Sequence, residues 1–231
     1  LGHTIHPLIP SLFAFNLPNH PMKGLSGLSV QNACIQTIPK GKQQTGPLLI
    51  THRGLSGPAI LKASAWDAKQ LAEAKYKFEV SVNWLGSDSP KNLTDHFNIL
   101  RKKYPTRRIT QNPFPEIPKR LWSKLVSLTQ IENDTTWAHL SREKNLRLQN
   151  NLSAMRLEVD GKTTNKDEFV TCGGICLKEV DFQRMESKLH QGLFFAGECL
   201  NLDGITGGFN FQAAWTTGRI AGQAMGNTSN H

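Results

Sequence analysis

Apolar residues come in short runs through the first part of the chain and then settle into helical spacing. Leu25 to Val30, Ala33 to Ile38, Leu48 to Thr51 and Phe78 to Trp84 read as strands, because each run is short and bounded by turn formers. Asn32, Gly41 between two lysines, and Gly46-Pro47 supply those turns. Further on, Leu93, Phe97 and Leu100 recur on one helix face, with Ser89 and Pro90 suited to its cap and first turn and Tyr104-Pro105 to its end. Pro118 opens a second helix with Leu121, Leu125 and Leu128 on one side. A third runs through Trp137, Leu140, Leu146 and Leu148. Met155 to Val159 alternates strictly into Asp160-Gly161, a strand entering a hairpin turn. The pattern predicts a small barrel or sheet with a helical addition.

The two ends read differently. Leu1-Gly2 ahead of a polar–apolar alternation has the form of a helix end followed by a strand, with Gly2 as the left-handed residue. Leu8 to Phe13 reads as an extended connector, since each proline pushes its predecessor out of the helical region. From about Asn165 the composition shifts: ten of the nineteen glycines lie between Gly173 and Gly226. Glycine at that density, in a sequence that is not low-complexity, implies positive φ or close approach of the backbone to something else.

Three pieces stand in order there. Thr171-Cys172-Gly173-Gly174-Ile175 comes first. Next is Gly192-Leu193-Phe194-Phe195-Ala196-Gly197-Glu198, which reads as a buried parallel strand ending in glycine and a carboxylate. Last is Gly204-Ile205-Thr206-Gly207-Gly208-Phe209-Asn210-Phe211-Gln212, a glycine-rich turn feeding a helix from Phe211 to Met225, with Gly226 as its terminator. Small residues in that helix suit close packing on a sheet. Its N-terminal amides and dipole suit an anionic or electron-rich oxygen.

Composition narrows the class. Apolar residues at 38% and charged residues at 19% are those of a globular protein. No run approaches the roughly 18 apolar residues of a membrane helix, and a cytoplasmic location is expected. Cys34, Cys172, Cys176 and Cys199 are too few and too uneven for a disulfide framework and are expected as buried or partly buried free thiols; Cys172 and Cys176 lack redox Cys-x-x-Cys spacing. The five tryptophans, Trp66, Trp84, Trp122, Trp137 and Trp215, are expected in the core. Net charge is +9. Much of the excess sits at Arg101, Lys102, Lys103, Arg107, Arg108, Lys119, Arg120 and Lys124, read as a solvated helical face. The rival reading is a basic RNA- or anion-binding module without redox activity.

The run Met185-Glu186-Ser187-Lys188, the GLFFAGE segment and Asp203 to Gln212 together resemble the C-terminal signature of a bacterial flavoprotein family of NAD(P)/FAD-dependent oxidoreductases, which includes aminoacetone-oxidase-like and bile-acid-reductase-like proteins. Thr51-His52-Arg53-Gly54-Leu55-Ser56-Gly57-Pro58-Ala59-Ile60-Leu61 resembles a second signature of that family, so the likeness spans essentially the whole chain. The resemblance implies an α+β fold. An inserted β-barrel with a helical subdomain would cover residues 12–164, and the C-terminal part of a Rossmann-like FAD-binding domain would cover 165–231. Residues 1–11 would connect from an N-terminal FAD segment. It further implies FAD as cofactor, NAD(P)H as a candidate electron donor, and a small organic substrate. Gly197 and Glu198 would lie by the ribityl–pyrophosphate stretch. Gly207, Gly208, Phe209 and Asn210, with Phe211 behind them, would face the pyrimidine side of the ring, and Gly173 and Gly174 would approach from a neighbouring strand end. His52 and Ser56, at a turn opening a helix at Pro58 or Ala59, are candidates to border the substrate; the preferred reading is that Gly54 and Gly57 shape a tight strand-to-helix turn and His52 packs there. The family's N-terminal GxGxxG turn has no counterpart in this sequence. The missing segment is therefore an expected partner and tight FAD binding by this chain alone is not expected, nor is a nucleic-acid or membrane partner.

Overall fold

The computed structural model describes residues 1–86, 92–163 and 170–228. The expected cap at Ser89 and Pro90 and the expected boundary between residues 164 and 165 lie outside the described residues.

Strand β1 (Ile5–Ser11) leads into a six-stranded antiparallel sheet of β2 (Phe15–Asn16), β3 (Ser29–Ile38), β4 (Gln44–Ile50), β5 (Gly54–Ser56), β6 (Lys77–Asn83) and β7 (Met155–Asp160), ordered β2-β5-β4-β3-β6-β7. The two outer strands meet. Asn16 N–H donates to the Gly161 carbonyl at 2.9 Å, and Thr163 N–H to that of Ala14 at 3.1 Å, so the sheet curls into a nearly closed barrel. Alternation along β7 buries Met155, Leu157 and Val159 and exposes the residues between them, as its sequence predicts.

The predicted run at residues 33–38 forms the body of β3, while of the run at 25–30 only Ser29 and Val30 join it and Leu25 to Leu28 precede it as a turn; Asn32 marks a register shift within the strand rather than a turn. Gly46-Pro47 likewise lies inside β4. Strand β5 pairs with β4 only at Leu49 and Ile50, so the missing N–H of Pro47 leaves no ladder bond unmade.

Helix α1 (Pro58–Trp66) opens at Pro58 as expected and turns through buried Asp67 into α2 (Ala68–Glu73). Between β6 and β7 stand α3 (Leu93–Lys103), α4 (Lys119–Leu128) and α5 (Arg142–Ser153). The third predicted helix starts later than its periodicity suggested: Trp137 and Leu140 precede the Ser141 cap, and Leu146 is exposed. The helices enclose an aromatic core in which Phe97 meets Trp137 edge-on at 5.2 Å and Phe114 meets Trp122 at 5.7 Å. The Trp122 indole donates to the Ile109 carbonyl, so its one polar atom is satisfied. This core is continuous with that of the barrel.

After residue 169 come β8 (Val170–Ile175), the short pair β9 (Val180–Asp181) and β10 (Glu186–Ser187), and the final helix α6 (Phe209–Thr228). Strand β8 runs antiparallel to β1, so the expected connector is half of a two-stranded ladder. The glycine-rich region has its own small core of Ile175, Val180, Met185, Leu200 and Ala221, flanked by Phe194 and Phe195. The buried parallel strand expected at Gly192 to Glu198 does not form. Phe194 pairs antiparallel with Glu186, Phe195 N–H bonds the Met185 carbonyl, and Gly197–Cys199 is a short 3₁₀ turn. A buried strand needs neighbours on both edges, and among the described residues this segment has one. Helix α6 continues through Gly226, the expected terminator, to Thr228.

Two glycine substitutions separate close approach from mere flexibility. At Gly86, φ is 56° and an added Cβ would fall on the Asn32 carbonyl. Gly86→Ala is expected to destabilise by about 2 kcal/mol or more. Gly222→Ala, in helix α6 with nothing within 4 Å of the new methyl, is expected to stabilise by roughly 0.5–1 kcal/mol. Urea unfolding of the two variants tests the pair.

Candidate functional site

A cleft of about 780 Å³ opens between the α1–α2 elbow and the turn before α6. Trp66, Asp67, Lys69 and Gln70 form the elbow wall. Cys172 from β8 forms part of the floor, and Asn201 to Ile205 with Phe209 form the far wall. The elbow arises because Asp67 caps both helices: its backbone N–H closes α1 onto Ala63, and its carboxylate accepts a hydrogen bond from buried Thr37 of β3. Trp66 is left outside that packing, 58% exposed, with the Lys42 ammonium 4.6 Å from its ring centre.

Across the cleft, Asp203 is tied to the ladder by the buried Ser11 hydroxyl, which donates to its carboxylate at 2.9 Å. Burial first, and then the Asp203 charge, push the neighbouring Cys172 thiol up to about 11, with Lys69 opposing. Cys172 is therefore a protonated, inert thiol at neutral pH.

The turn before α6 is braced by one side chain. Asn210 accepts from Gly204 N–H at 2.8 Å and donates back to the Gly204 carbonyl at 3.0 Å. This double bond of one amide to one peptide holds open Gly207 and Gly208, whose φ values are 114° and 83°. Among the described residues their N–H groups meet no acceptor, nor does that of Phe209. A Cβ on Gly208 would meet nothing within 4 Å. Gly204, Ile205 and Phe209 line the cleft itself, while Gly207 and Gly208 between them are exposed and do not line it.

The other expected site residues lie as follows. Gly173 and Gly174 in β8 are packed by the chain itself: a Cβ on Gly173 would come within 2.1 Å of the Pro7 carbonyl, and one on Gly174 within 2.5 Å of that of Cys199. Gly197 N–H is held by the Thr217 hydroxyl of α6 at 3.0 Å, and Glu198 beside it is exposed. Phe211 stacks on Trp215 at 6.0 Å, both rings largely exposed. His52 is exposed and Ser56 half-buried, and neither lines the cleft, which opens at the far end of α1. Trp66 and Trp215 are exposed, contrary to the expected core role, which Trp84, Trp122 and Trp137 do fill. The sequence reading missed Trp66, Lys69 and Asp203; only Asp203 carried a signal, as the first residue of the glycine-rich motif.

Among the described residues no three His, Cys, Asp or Glu side chains group as a metal site, and no helix is long and apolar enough to cross a membrane.

A nearly closed antiparallel barrel with helices inserted between its last two strands, carried beside a glycine-rich segment, defines a mixed α/β barrel-and-helix protein. The chain belongs to the HI0933-like protein family, whose barrel and H2TH domain matches residues 9–170. It is 28% identical over 226 residues to a 3-dehydro-bile acid delta(4,6)-reductase of Clostridium scindens, covering 97% of this chain and 55% of that protein. It is 31% identical over 228 residues to a ribosomal RNA dihydrouridine synthase of Escherichia coli, covering 97% and 54%. A ribosomal RNA dihydrouridine synthase of Haemophilus influenzae is 29% identical over 215 residues, covering 91% and 49%. The chain thus spans about half the length of these relatives, all of them enzymes by name.

The site yields a thiol-reactivity prediction. Cys199 is exposed, whereas Cys172 is buried with its thiol raised. At about pH 8, iodoacetamide is expected to label Cys199 at least tenfold faster than Cys172. Peptide mass mapping over time measures the two rates, and Cys172 labelled first would contradict the burial described.

Proposed function

We propose that this chain forms the ring-side part of an FAD-dependent reductase that uses NAD(P)H and adds hydrogen across a carbon–carbon double bond conjugated to a carbonyl. The observation that carries the reading is a turn whose amides at Gly207, Gly208 and Phe209 meet no acceptor among the described residues and whose Gly204, Ile205 and Phe209 line a cleft large enough for a planar ring. A flavin gathers negative charge at its pyrimidine edge on reduction, and helix-start amides favour negative charge there. The residues fit that end of the cofactor and not its adenine end, for which the sequence has no GxGxxG turn.

A bound FAD would supply the electron pair as hydride. The chain's own residues would bind and orient. Gly207, Gly208, Phe209 and Asn210 would hold the pyrimidine edge, with Phe211 flanking, and Gly197 and Glu198 would stand towards the ribityl chain. Gly173 and Gly174 would act indirectly, by letting β8 carry the cleft floor against its neighbours. Trp66 and Phe209 would exclude water and stack on a flat substrate, and the Lys69 ammonium would face its carbonyl. The geometry favours Trp66, Lys69 and Asp203 over His52 and Ser56 as the substrate-facing set.

On this reading residues 12–164 are an insert, residues 165–231 return to the flavin domain, and a further segment closes the adenine end. The exposed Phe211, Trp215 and Met225 on α6, and the open space over Gly218 and Gly222, suit such a cover. The names of the relatives agree on the chemistry: dihydrouridine is uridine reduced at its ring double bond, and a delta(4,6)-reductase removes ring double bonds.

The test uses protein expressed with its natural flanking coding sequence. It is expected to be yellow, absorbing near 450 nm, and to bleach with NAD(P)H. Gly208→Val is expected to cut bound flavin or its reduction rate at least tenfold, whereas His52→Ala leaves both near the parent level. A colourless protein that takes up no added FAD overturns the reading.

A further inference from the structure

Helix α4 carries a second, separate feature. At 100° per residue, Lys119, Ser123, Ser127, Arg120 and Lys124 fall within about 140° of one another on one face. Leu121, Trp122, Leu125 and Val126 occupy the opposite side and are buried. The polar face is thus entirely cationic or hydroxylic. The loop before β3 folds against it, and together they line a shallow depression of about 440 Å³: Lys23, Gly24 and Leu25 on one side, and Lys119, Arg120, Ser123, Lys124 and Ser127 on the other.

Three observations set this depression apart from an ordinary solvated helix face. No carboxylate lines the depression, and among the described residues none of its four cations is in an ion pair. Lys23 lies nearly a hundred residues from α4 in sequence, so the fold gathers charge that the sequence scatters. The gathering is held in place, since the Arg120 guanidinium donates to the Gly24 carbonyl at 2.6 Å and clamps the loop to the helix. Elsewhere the basic stretch of the sequence is put to other uses. Arg101 bonds the carbonyls of Trp137 and Leu140, and Lys103 and Arg107 lie near the Tyr104 ring.

We propose that this depression binds the phosphodiester backbone of a nucleic acid. Lysine, arginine and serine are the side chains that contact phosphate oxygens, and they position a strand without reading its sequence. A protein partner would need a buried apolar centre, and a membrane-surface helix would need exposed apolar anchors. The only large apolar side chain lining this depression, Leu25, is itself buried. The inference stands apart from the flavin reading. If both hold, the basic face would dock a polymer whose base enters the cleft.

The experiment is a fluorescence-anisotropy titration of the chain with a single-stranded RNA of about 20 nucleotides at several salt concentrations. Four phosphate contacts predict a slope of log affinity against log salt near −2.8, at about −0.7 per contact. The triple variant Lys23→Gln, Lys119→Gln, Lys124→Gln is expected to lose at least tenfold in affinity and to flatten the slope by about 2. Lys→Arg at the same three positions is expected to keep both, which separates lost charge from lost fold, and the melting temperatures of the two triples provide a second control. Equal binding of DNA of the same length supports recognition of the phosphodiester backbone. An unchanged slope in the glutamine variant, or binding to phosphatidylserine vesicles but not to RNA, overturns the proposal. Flavin content measured on the same variants keeps its failure distinct from that of the reductase reading.

Discussion

The candidate site depends on one ladder, the antiparallel pairing of β1 with β8. Strand β1 enters the barrel, β8 opens the glycine-rich segment, and their pairing sets the turn before α6 opposite the α1–α2 elbow. The ladder is crowded on both sides of β8. Gly173 leaves room for the Pro7 carbonyl and Gly174 for that of Cys199, and any side chain at either position would displace main chain rather than a flexible tip. The bond from Ser11 to Asp203 then fastens the far wall of the cleft to the same ladder. Two glycines and one buried serine thus decide whether the cleft exists.

The two hydrophobic cores differ in scale, and the difference bears on function. One runs continuously from Phe13 to Val159 through barrel and helices, with aromatic rings interlocked at its helical end. The other holds, among the described residues, five buried ones. A small core contributes little stability by area, since stabilisation follows apolar surface removed from water at about 25 cal/mol per Å². The glycine-rich segment therefore leans on the β1–β8 ladder and on Thr217, which links α6 to Gly197. Three of its aromatic side chains, Phe209, Phe211 and Trp215, stay exposed. Exposed apolar side chains of this kind suit the covering segment proposed above.

On the two proposals, the cleft and the basic depression would divide two tasks. The cleft combines the aromatic side chains of Trp66 and Phe209 with the Lys69 ammonium, a set suited to holding planar, electron-accepting rings. The depression offers charge without apolar anchors, a set suited to a polymer backbone. A reductase acting on a base within a polymer would need both, and one acting on a free small molecule would need only the first.

Local pattern was enough for much of the fold. The alternation of β7, the opening of α1 at Pro58, the amphipathic α4 and the glycine-rich turn before the last helix follow from periodicities and turn chemistry that act over a few residues. What escaped was non-local. Whether residues 192–198 form a strand depends on partners for both edges; whether Trp66 is core or wall depends on what packs over α1; whether Gly173 meets a ligand or its own chain depends on where Pro7 lies. The joining of Lys23 to α4 was invisible for the same reason. Sequence by itself determined the alternation of β7, the opening of α1, the amphipathic α4 and the glycine-rich turn before α6, because those properties reside in neighbouring residues. Only the tertiary structure decided which side chains share a cleft, because pairing and burial bring together residues that the chain keeps far apart.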